Sequence, residues 1–186
     1  MKAVDLTQSF IEYASKKNTH ASVEFSVADA CDLPFESRSF DRVLSLLCLH
    51  FVPNTDTAIK QLVRVARPRA TVAAAVWDAR GGFVAQRIFY DTAAMLDEKG
   101  ASARAQQLTR PLCRPGELEA AWRAAGIRDV VGAQLLTRME YASFDDFWSP
   151  YLGGQGGAAA YVASLGEEQR EKLRESLTAR LSRRRG

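Results

Sequence analysis

The feature that most constrains this chain is an alternation of apolar runs and amphipathic segments through its first 77 residues. Short apolar, strand-like runs occur at 1–5, 23–27, 43–49 and 71–77. Segments with apolar residues at helical spacing connect the first run to the second and the third to the fourth. This alternation predicts an α/β fold with a mostly parallel sheet. Because the last two runs are continuously apolar, we expect them to be strands buried on both faces.

The second half has a different pattern, dominated by helical spacing. It predicts helices at 83–96, 101–108, 116–125, 144–148 and 167–181, an extended strand at 127–141 and a flexible joint at 153–157. We interpret residues 1–186 as one domain with three parts. These are an α/β part at 1–80, a helical insertion or lid with its following helix at 81–126, and a C-terminal strand and helices at 127–186.

Composition excludes several classes of protein. The 186 residues are 47% hydrophobic and 25% charged, which is enough apolar material for a core and too ordinary for a disordered chain. No apolar run is long enough for a membrane span. The three cysteines, Cys31, Cys48 and Cys113, have neither disulfide-framework nor zinc-site spacing. We therefore predict a cytoplasmic protein with reduced thiols and no metal.

The net charge of +3 does not indicate nucleic-acid binding. Four arginines lie within the last seven residues, and without them 21 Lys and Arg face 22 Asp and Glu. A nucleic-acid footprint should form a stripe on a folded surface, whereas this excess is a tail. We predict no nucleic-acid partner and no membrane partner.

Three predicted strand ends carry residues suited to a nucleoside. In open α/β sheets, ligands bind at the carboxyl ends of the strands. Asp5 follows the first run and can accept hydrogen bonds from ribose hydroxyls; the alternative is an acid at a helix N-terminus. Asp29 and Ala30 follow the second run, where the carboxylate can meet an adenine amine or simply form a turn. Leu46 near the third strand end can cover the adenine or ribose, or belong to the core.

These segments resemble the class I S-adenosylmethionine-dependent methyltransferases, in the branch called methyltransferase type 11. The resemblance rests on D-A-x-x-L-P-F at 29–35, S-F-D at 39–41 and, more weakly, G-E-L-x-x-x-W-x-x-A-G at 116–126. It implies a Rossmann-like sheet and S-adenosylmethionine as cofactor. It also implies that Asp5 and Leu6 lie at the ribose, Asp29 and Ala30 at the adenine, and Leu46 at an apolar face of the cofactor.

The chain also departs from the family pattern. Family members begin with a strand and a G-x-G-x-G loop, and we expect this unit to be missing before Met1, by a misassigned start or true truncation. The missing strand would lie between the family's second and fourth strands. The remaining strands then either close together or take a strand from another chain, which makes a homo-oligomer through exposed edges a possibility. Arg69 and Ala70 replace two glycines, and the family's final strand is not visible.

The remaining candidates concern the methyl acceptor. His50 follows the third strand and is a candidate general base, with a packed histidine as the alternative. Trp77 and Phe83 are candidate contacts for a small apolar or aromatic substrate, or core residues. We predict methyl transfer from S-adenosylmethionine to such an acceptor. A non-catalytic remnant or interaction module and a Rossmann-type oxidoreductase remain alternatives, and whether this chain is an active enzyme stays open.

Overall fold

The chain forms two compact units. The computed structural model describes residues 1–153 and 156–182, so that part of the predicted joint and Arg183–Arg185 of the basic tail lie outside it. The first unit comprises Met1–Val76 and Pro115–Gly132, and the second comprises Trp77–Arg114 and Ala133–Gly186. Residues 115–132 therefore pack with the N-terminal part, not with the predicted insertion at 81–126. That the two units make up one domain remains a prediction.

Four strands, eight α-helices and a short 3-10 helix make up the described residues. In chain order they are β1 (Lys2–Asp5), α1 (Gln8–Lys17), β2 (Glu24–Val27), β3 (Phe40–Leu46), the 3-10 helix (Leu49–Phe51), α2 (Thr55–Val65), β4 (Ala66–Ala75), α3 (Val84–Ala93), α4 (Glu98–Leu108), α5 (Glu117–Ala124), α6 (Phe144–Leu152), α7 (Gly156–Ala163) and α8 (Glu167–Ser182). Within the described residues, no helix combines the length and apolarity needed to cross a bilayer.

The strands form two separate parallel pairs. β1 pairs with β2, from Lys2 opposite Glu24 to Asp5 opposite Val27. β3 pairs with β4, in register from Arg42 opposite Thr71 to Leu46 opposite Ala75. The α/β class with parallel strands is confirmed. Among the described residues, no hydrogen-bonded ladder joins one pair to the other, so the four strands have not closed into one sheet.

The expectation that the third apolar run is buried on both faces is wrong. Val43 is buried. Leu44 and Leu46 point to the opposite face of the strand from Val43 and are 71% and 77% exposed. The buried side lies against α2, whose Ala58, Ile59 and Leu62 form the predicted apolar stripe. An apolar run predicts a strand, but its burial depends on whether an element packs on each face.

β4 begins earlier than its apolar run, with a bulge. One residue of β3, Asp41, stands opposite four residues of β4, 67–70. Arg67 donates to the Asp41 carboxylate at 2.7 Å, and Arg69 has a left-handed φ of 70°. The glycine that the family pattern has at this position adopts this conformation without steric cost. Its replacement by Arg69 therefore affects the backbone geometry of the turn.

The predicted strand at 127–141 is wrong. α5 ends as the sequence indicates, with Gly126 at a φ of 85° and the Ile127 N–H bonded to the Trp122 carbonyl at 3.0 Å. The residues that follow have no regular secondary structure as far as Tyr141. Val131, Leu135 and Leu136 are 91%, 82% and 93% exposed. A strand requires a neighbour to complete its hydrogen bonds, and this segment has none among the described residues.

The second unit is helical with an aromatic core. Phe89 stacks on Tyr151, with ring centroids 4.4 Å apart, and Phe147 meets Tyr151 edge-on at 5.3 Å. Trp148, Tyr161, Leu173 and Leu177 complete the buried cluster. α7 begins at Gly156, so the last two residues of the predicted joint at 153–157 are helical, and the alanines at 158–160 that follow favour a helix.

Candidate functional site

Asp5 ends β1 with its carboxylate fixed by the following turn. Its Oδ1 accepts a hydrogen bond from the Thr7 N–H at 2.8 Å, at the start of α1. Its main-chain carbonyl accepts from the Ala28 N–H at 3.1 Å, which continues the pairing of β1 with β2. The local turn role that the sequence allowed is therefore present, and it engages one of the two carboxylate oxygens. Leu6 beside it is exposed.

Asp29 has the same arrangement just beyond β2. Its Oδ1 accepts from the Cys31 N–H at 2.8 Å and its carbonyl accepts from the Asp32 N–H at 3.0 Å. Its side chain is exposed, and Ala30 is half-buried. Because Asp5 stands opposite Val27 in the ladder, Asp5 and Asp29 lie at the same carboxyl edge. Two carboxylates, each with one oxygen used by its own loop, face the same side of the first sheet.

Leu46 is the last residue of β3, and the backbone turns sharply after it. Leu47 adopts a left-handed φ of 51° while its N–H still donates to the Ala75 carbonyl at 2.8 Å. The turn leads into the 3-10 helix, which buries Leu49 and leaves Leu46 in solvent. The alternative that Leu46 belongs to the core is therefore wrong. An exposed leucine at this strand end offers an apolar surface to a ligand.

Cys48 lies two residues beyond the end of β3. Partial burial raises the pKa of its thiol, and the negative charge of Asp5 raises that pKa further. Burial and Asp29 likewise raise the pKa of Cys31, whose thiol donates to the Asn54 carbonyl at 3.5 Å. The sequence offered no signal that would have placed either cysteine here.

Arg64 holds the loop that connects β2 to β3. From α2, its guanidinium donates to the carbonyls of Phe35 and Leu33, at 2.7 and 2.8 Å, and to Gln61. Gln61 in turn accepts from the Leu33 N–H at 3.3 Å. The loop that carries Asp29 is thus fixed to a buried helix. Sequence reasoning missed Arg64, because a single arginine on an amphipathic helix resembles any solvent-facing charge.

His50 lies inside the first unit. Its side chain is 2% exposed, in the 3-10 helix, and its ring centroid is 4.1 Å from that of Phe51. This environment favours the packed-histidine alternative, since a general base must reach the atom it deprotonates. Its role as a base remains a prediction.

Trp77 and Phe83 form a pair in the second unit. Their rings stack with centroids 4.7 Å apart and an interplanar angle of 28°. The Asp78 turn brings them together: its Oδ1 accepts from the Gly81 N–H at 2.8 Å, and its carbonyl accepts from the Phe83 N–H at 2.9 Å. Both rings are half-buried, so the pair has an accessible aromatic surface.

The part of the chain that the structure describes contains no cluster of three His, Cys, Asp or Glu side chains arranged for a metal. That the protein holds no metal remains a prediction. The residues described above offer carboxylate oxygens and apolar side chains. Such a site binds hydroxyls and amines by hydrogen bonds and a planar base by its faces.

Comparison with known proteins shows what this part of the chain is similar to. Residues 1–74, which contain Asp5, Asp29 and Leu46, match the family model described as a methyltransferase domain. Over these residues the chain is similar to the class I S-adenosylmethionine-dependent methyltransferases.

Individual methyltransferases agree with this assignment. The fatty-acid O-methyltransferase of Mycolicibacterium smegmatis is 35% identical over 65 residues, which cover 35% of this chain and 24% of that protein. A solved structure described as a methyltransferase from an antibiotic biosynthesis pathway of Anabaena variabilis shares the fold at 21% identity, with a TM-score of 0.64 over 97% of this chain and 70% of that one. The phosphoethanolamine N-methyltransferase 2 of Haemonchus contortus, solved with S-adenosyl-L-methionine, gives a TM-score of 0.53 at 19% identity over 97% and 39%.

The family cofactor is S-adenosylmethionine, and its nucleoside part fits the residues at this edge. Asp5 and Asp29 each keep one carboxylate oxygen that their own turn does not use, and Leu46 is exposed. That Asp5 meets the ribose, and Asp29 and Leu46 the adenine, remains a prediction. The aligned segment spans about a quarter of the first curated relative, so activity and acceptor belong to the proposal that follows.

Proposed function

We propose that this chain binds S-adenosylmethionine at the carboxyl ends of β1, β2 and β3 and transfers its methyl group to a small apolar or aromatic acceptor. The observation that carries the proposal is the pair of Asp turns. Asp5 and Asp29 stand at adjacent strand ends, and each gives one oxygen to a backbone N–H at 2.8 Å. The turn orients the carboxylate before a ligand arrives, which lowers the entropy cost of binding.

Each residue has a distinct task in this proposal. The second carboxylate oxygen of Asp5 accepts from the ribose hydroxyls, in the charge-assisted hydrogen bonds that carboxylates make best. Asp29 accepts from the exocyclic amine of adenine, beside Ala30. Leu6 and Leu46, both exposed at this edge, cover apolar faces of the nucleoside.

The transfer requires little from the protein beyond alignment. When bound, the cofactor supplies a sulfonium-activated methyl group with a neutral thioether as leaving group. The protein's contribution is to hold donor and acceptor in line and to keep water out. For the acceptor, the accessible face of the stacked Trp77 and Phe83 rings supports an apolar or aromatic molecule. The burial of His50 supports a role in fixing the 3-10 helix.

Titration calorimetry with S-adenosylhomocysteine tests the proposal. We expect the wild-type chain to bind with a Kd below about 1 mM. Asp5→Asn should weaken binding about tenfold, because a charge-assisted hydrogen bond is worth about 1.5–3 kcal/mol. Asp29→Asn should have a smaller effect in the same direction. Asp32→Asn is the matched control, since Asp32 is an exposed carboxylate in the same loop.

A specific observation favours one second candidate. The two unjoined strand pairs are what a non-catalytic remnant or interaction module would retain. No binding of S-adenosylhomocysteine at millimolar concentration would contradict the methyltransferase proposal and favour this module. Binding that Asp5→Asn and Asp32→Asn weaken equally would show that the cofactor lies elsewhere.

A further inference from the structure

Each of the two strand pairs in the first unit leaves both of its outer edges without a hydrogen-bonded neighbour among the described residues. β1 uses one edge for β2 and β3 uses one edge for β4. The opposite edges present main-chain N–H and C=O groups, which are a template for a further strand.

The surface beside these edges is apolar. Leu44 and Leu46 project from β3 into solvent, and their ladder partners on β4 are Ala73 and Ala75. Exposed leucines on a parallel strand are unusual, because such strands are normally covered on both faces. A strand added at the β3 edge would place its side chains next to these leucines.

One segment of the chain forms no ladder and exposes apolar side chains. Residues 130–137, with the sequence VVGAQLLT, form no ladder in the structure. Val131, Leu135 and Leu136 are almost fully exposed. The start of the segment is fixed in its own first unit, where the Ile127 N–H bonds to Trp122.

The charges of segment and edges are compatible. Residues 130–137 are uncharged, and so are residues 43–46 of β3 and the middle of β1. Charges of both signs flank each of them: Arg128 and Asp129 before the segment and Arg138 and Glu140 after it, Lys2 and Asp5 at the ends of β1, and Asp41 and Arg42 at the start of β3. Pairing would therefore bury no charge. The free-energy cost of burying a charge is a main obstacle to the association of exposed strands.

We propose that residues 130–137 of one copy add as a strand at the free β3 edge of a second copy, and that the second copy donates its own segment in return. At about 3.3 Å per residue, eight residues span about 26 Å and match the seven-residue β3 in length. Reciprocal exchange closes a symmetric dimer and leaves no further donor exposed. The exchange would extend the β3–β4 pair by one strand and cover Leu44 and Leu46.

Sedimentation velocity on the full chain, at about 1–100 μM as suits dimers of ordinary affinity, tests the exchange. We expect a species of twice the 20.5 kDa chain mass at the upper concentrations. Leu136→Pro removes a main-chain donor and should raise the dimer dissociation constant about tenfold or more. Leu135→Lys should weaken the dimer in the same direction, because it charges the middle of the strand.

The control is Leu152→Lys, which charges an exposed leucine on α6 in the second unit. It should leave the dimer unchanged. At concentrations where the chain is monomeric, all three variants should keep the wild-type urea midpoint, since each side chain is exposed in the monomer. In the dimer, hydrogen exchange should slow at 130–137 and at 43–46 together. A monomer at all concentrations, a dimer that Leu136→Pro leaves intact, or one that Leu152→Lys weakens equally would overturn the proposal. None of these outcomes depends on cofactor binding.

Discussion

The two units pair their backbone N–H and C=O groups in different ways. In the second unit, helices satisfy their own N–H and C=O groups, and aromatic rings such as Phe89 and Trp148 fill the space between them. In the first unit, each strand forms its main-chain hydrogen bonds with a neighbouring strand. Among the described residues no ladder joins the two strand pairs, and apolar side chains such as Leu44 are exposed to solvent. The difference shows that an apolar run specifies a strand locally, whereas its burial depends on residues distant in the chain.

The largest expected effect contrasts one apolar side chain from each unit. Phe89→Ala should destabilise the second unit by about 3–5 kcal/mol, because it leaves a cavity in a fully buried aromatic cluster. At concentrations where the chain is monomeric, Leu44→Ala should change stability by less than about 0.5 kcal/mol, because an exposed side chain leaves no cavity. Urea unfolding followed by far-UV circular dichroism measures both. Equal losses would contradict the difference between the units.

An intermediate effect on stability is expected from replacing Arg64, which holds the loop that connects β2 to β3. Arg64→Met keeps the aliphatic stem but leaves the carbonyls of Leu33 and Phe35 without their charged donor. We expect a loss of about 2 kcal/mol in the free energy of unfolding. Arg42→Met on β3, an exposed arginine in the same unit, is the control and should lose less than about 0.5 kcal/mol. If both variants unfold at the same urea concentration, Arg64 does not hold the loop.

The smallest expected effect concerns the β4 bulge. Arg69 has a φ of 70°, which costs a residue with a Cβ about 1–2 kcal/mol. Arg69→Gly should therefore be more stable than Arg69→Ala by about 1 kcal/mol, less the greater freedom of glycine in the unfolded chain. The urea midpoints of the two variants give the comparison directly. A more stable alanine variant would show that position 69 is not left-handed in solution.

Much of the fold follows from local pattern. α2 and α5 lie where apolar spacing and Gly126 predict them, and β1 and β2 match their short apolar runs within a residue or two. The errors share one cause. Residues 43–49 and 127–141 have strand-like sequences, but burial of the first and pairing of the second depend on neighbours that periodicity cannot reveal.

The site was predictable to a similar degree. Asp5, Asp29 and Leu46 were predicted because strand ends mark ligand edges. Asp5 and Leu46 are the last residues of β1 and β3, and Asp29 lies two residues beyond β2. Their roles at a ligand remain predictions. Arg64, Cys31 and Cys48 were not predicted, since their positions depend on how the loop folds back on α2 and how the two strand pairs approach each other.

Cysteine alkylation with and without S-adenosylhomocysteine tests the central claim, that the cofactor binds at this edge. Cys48 lies two residues beyond the end of β3 and Cys31 lies two residues beyond Asp29, whereas Cys113 is buried. With iodoacetamide at pH 9, followed by peptide mass spectrometry, saturating ligand should slow alkylation of Cys48 and Cys31 several-fold and leave Cys113 unchanged. Unchanged rates at Cys48 and Cys31 in the presence of bound ligand would contradict the account.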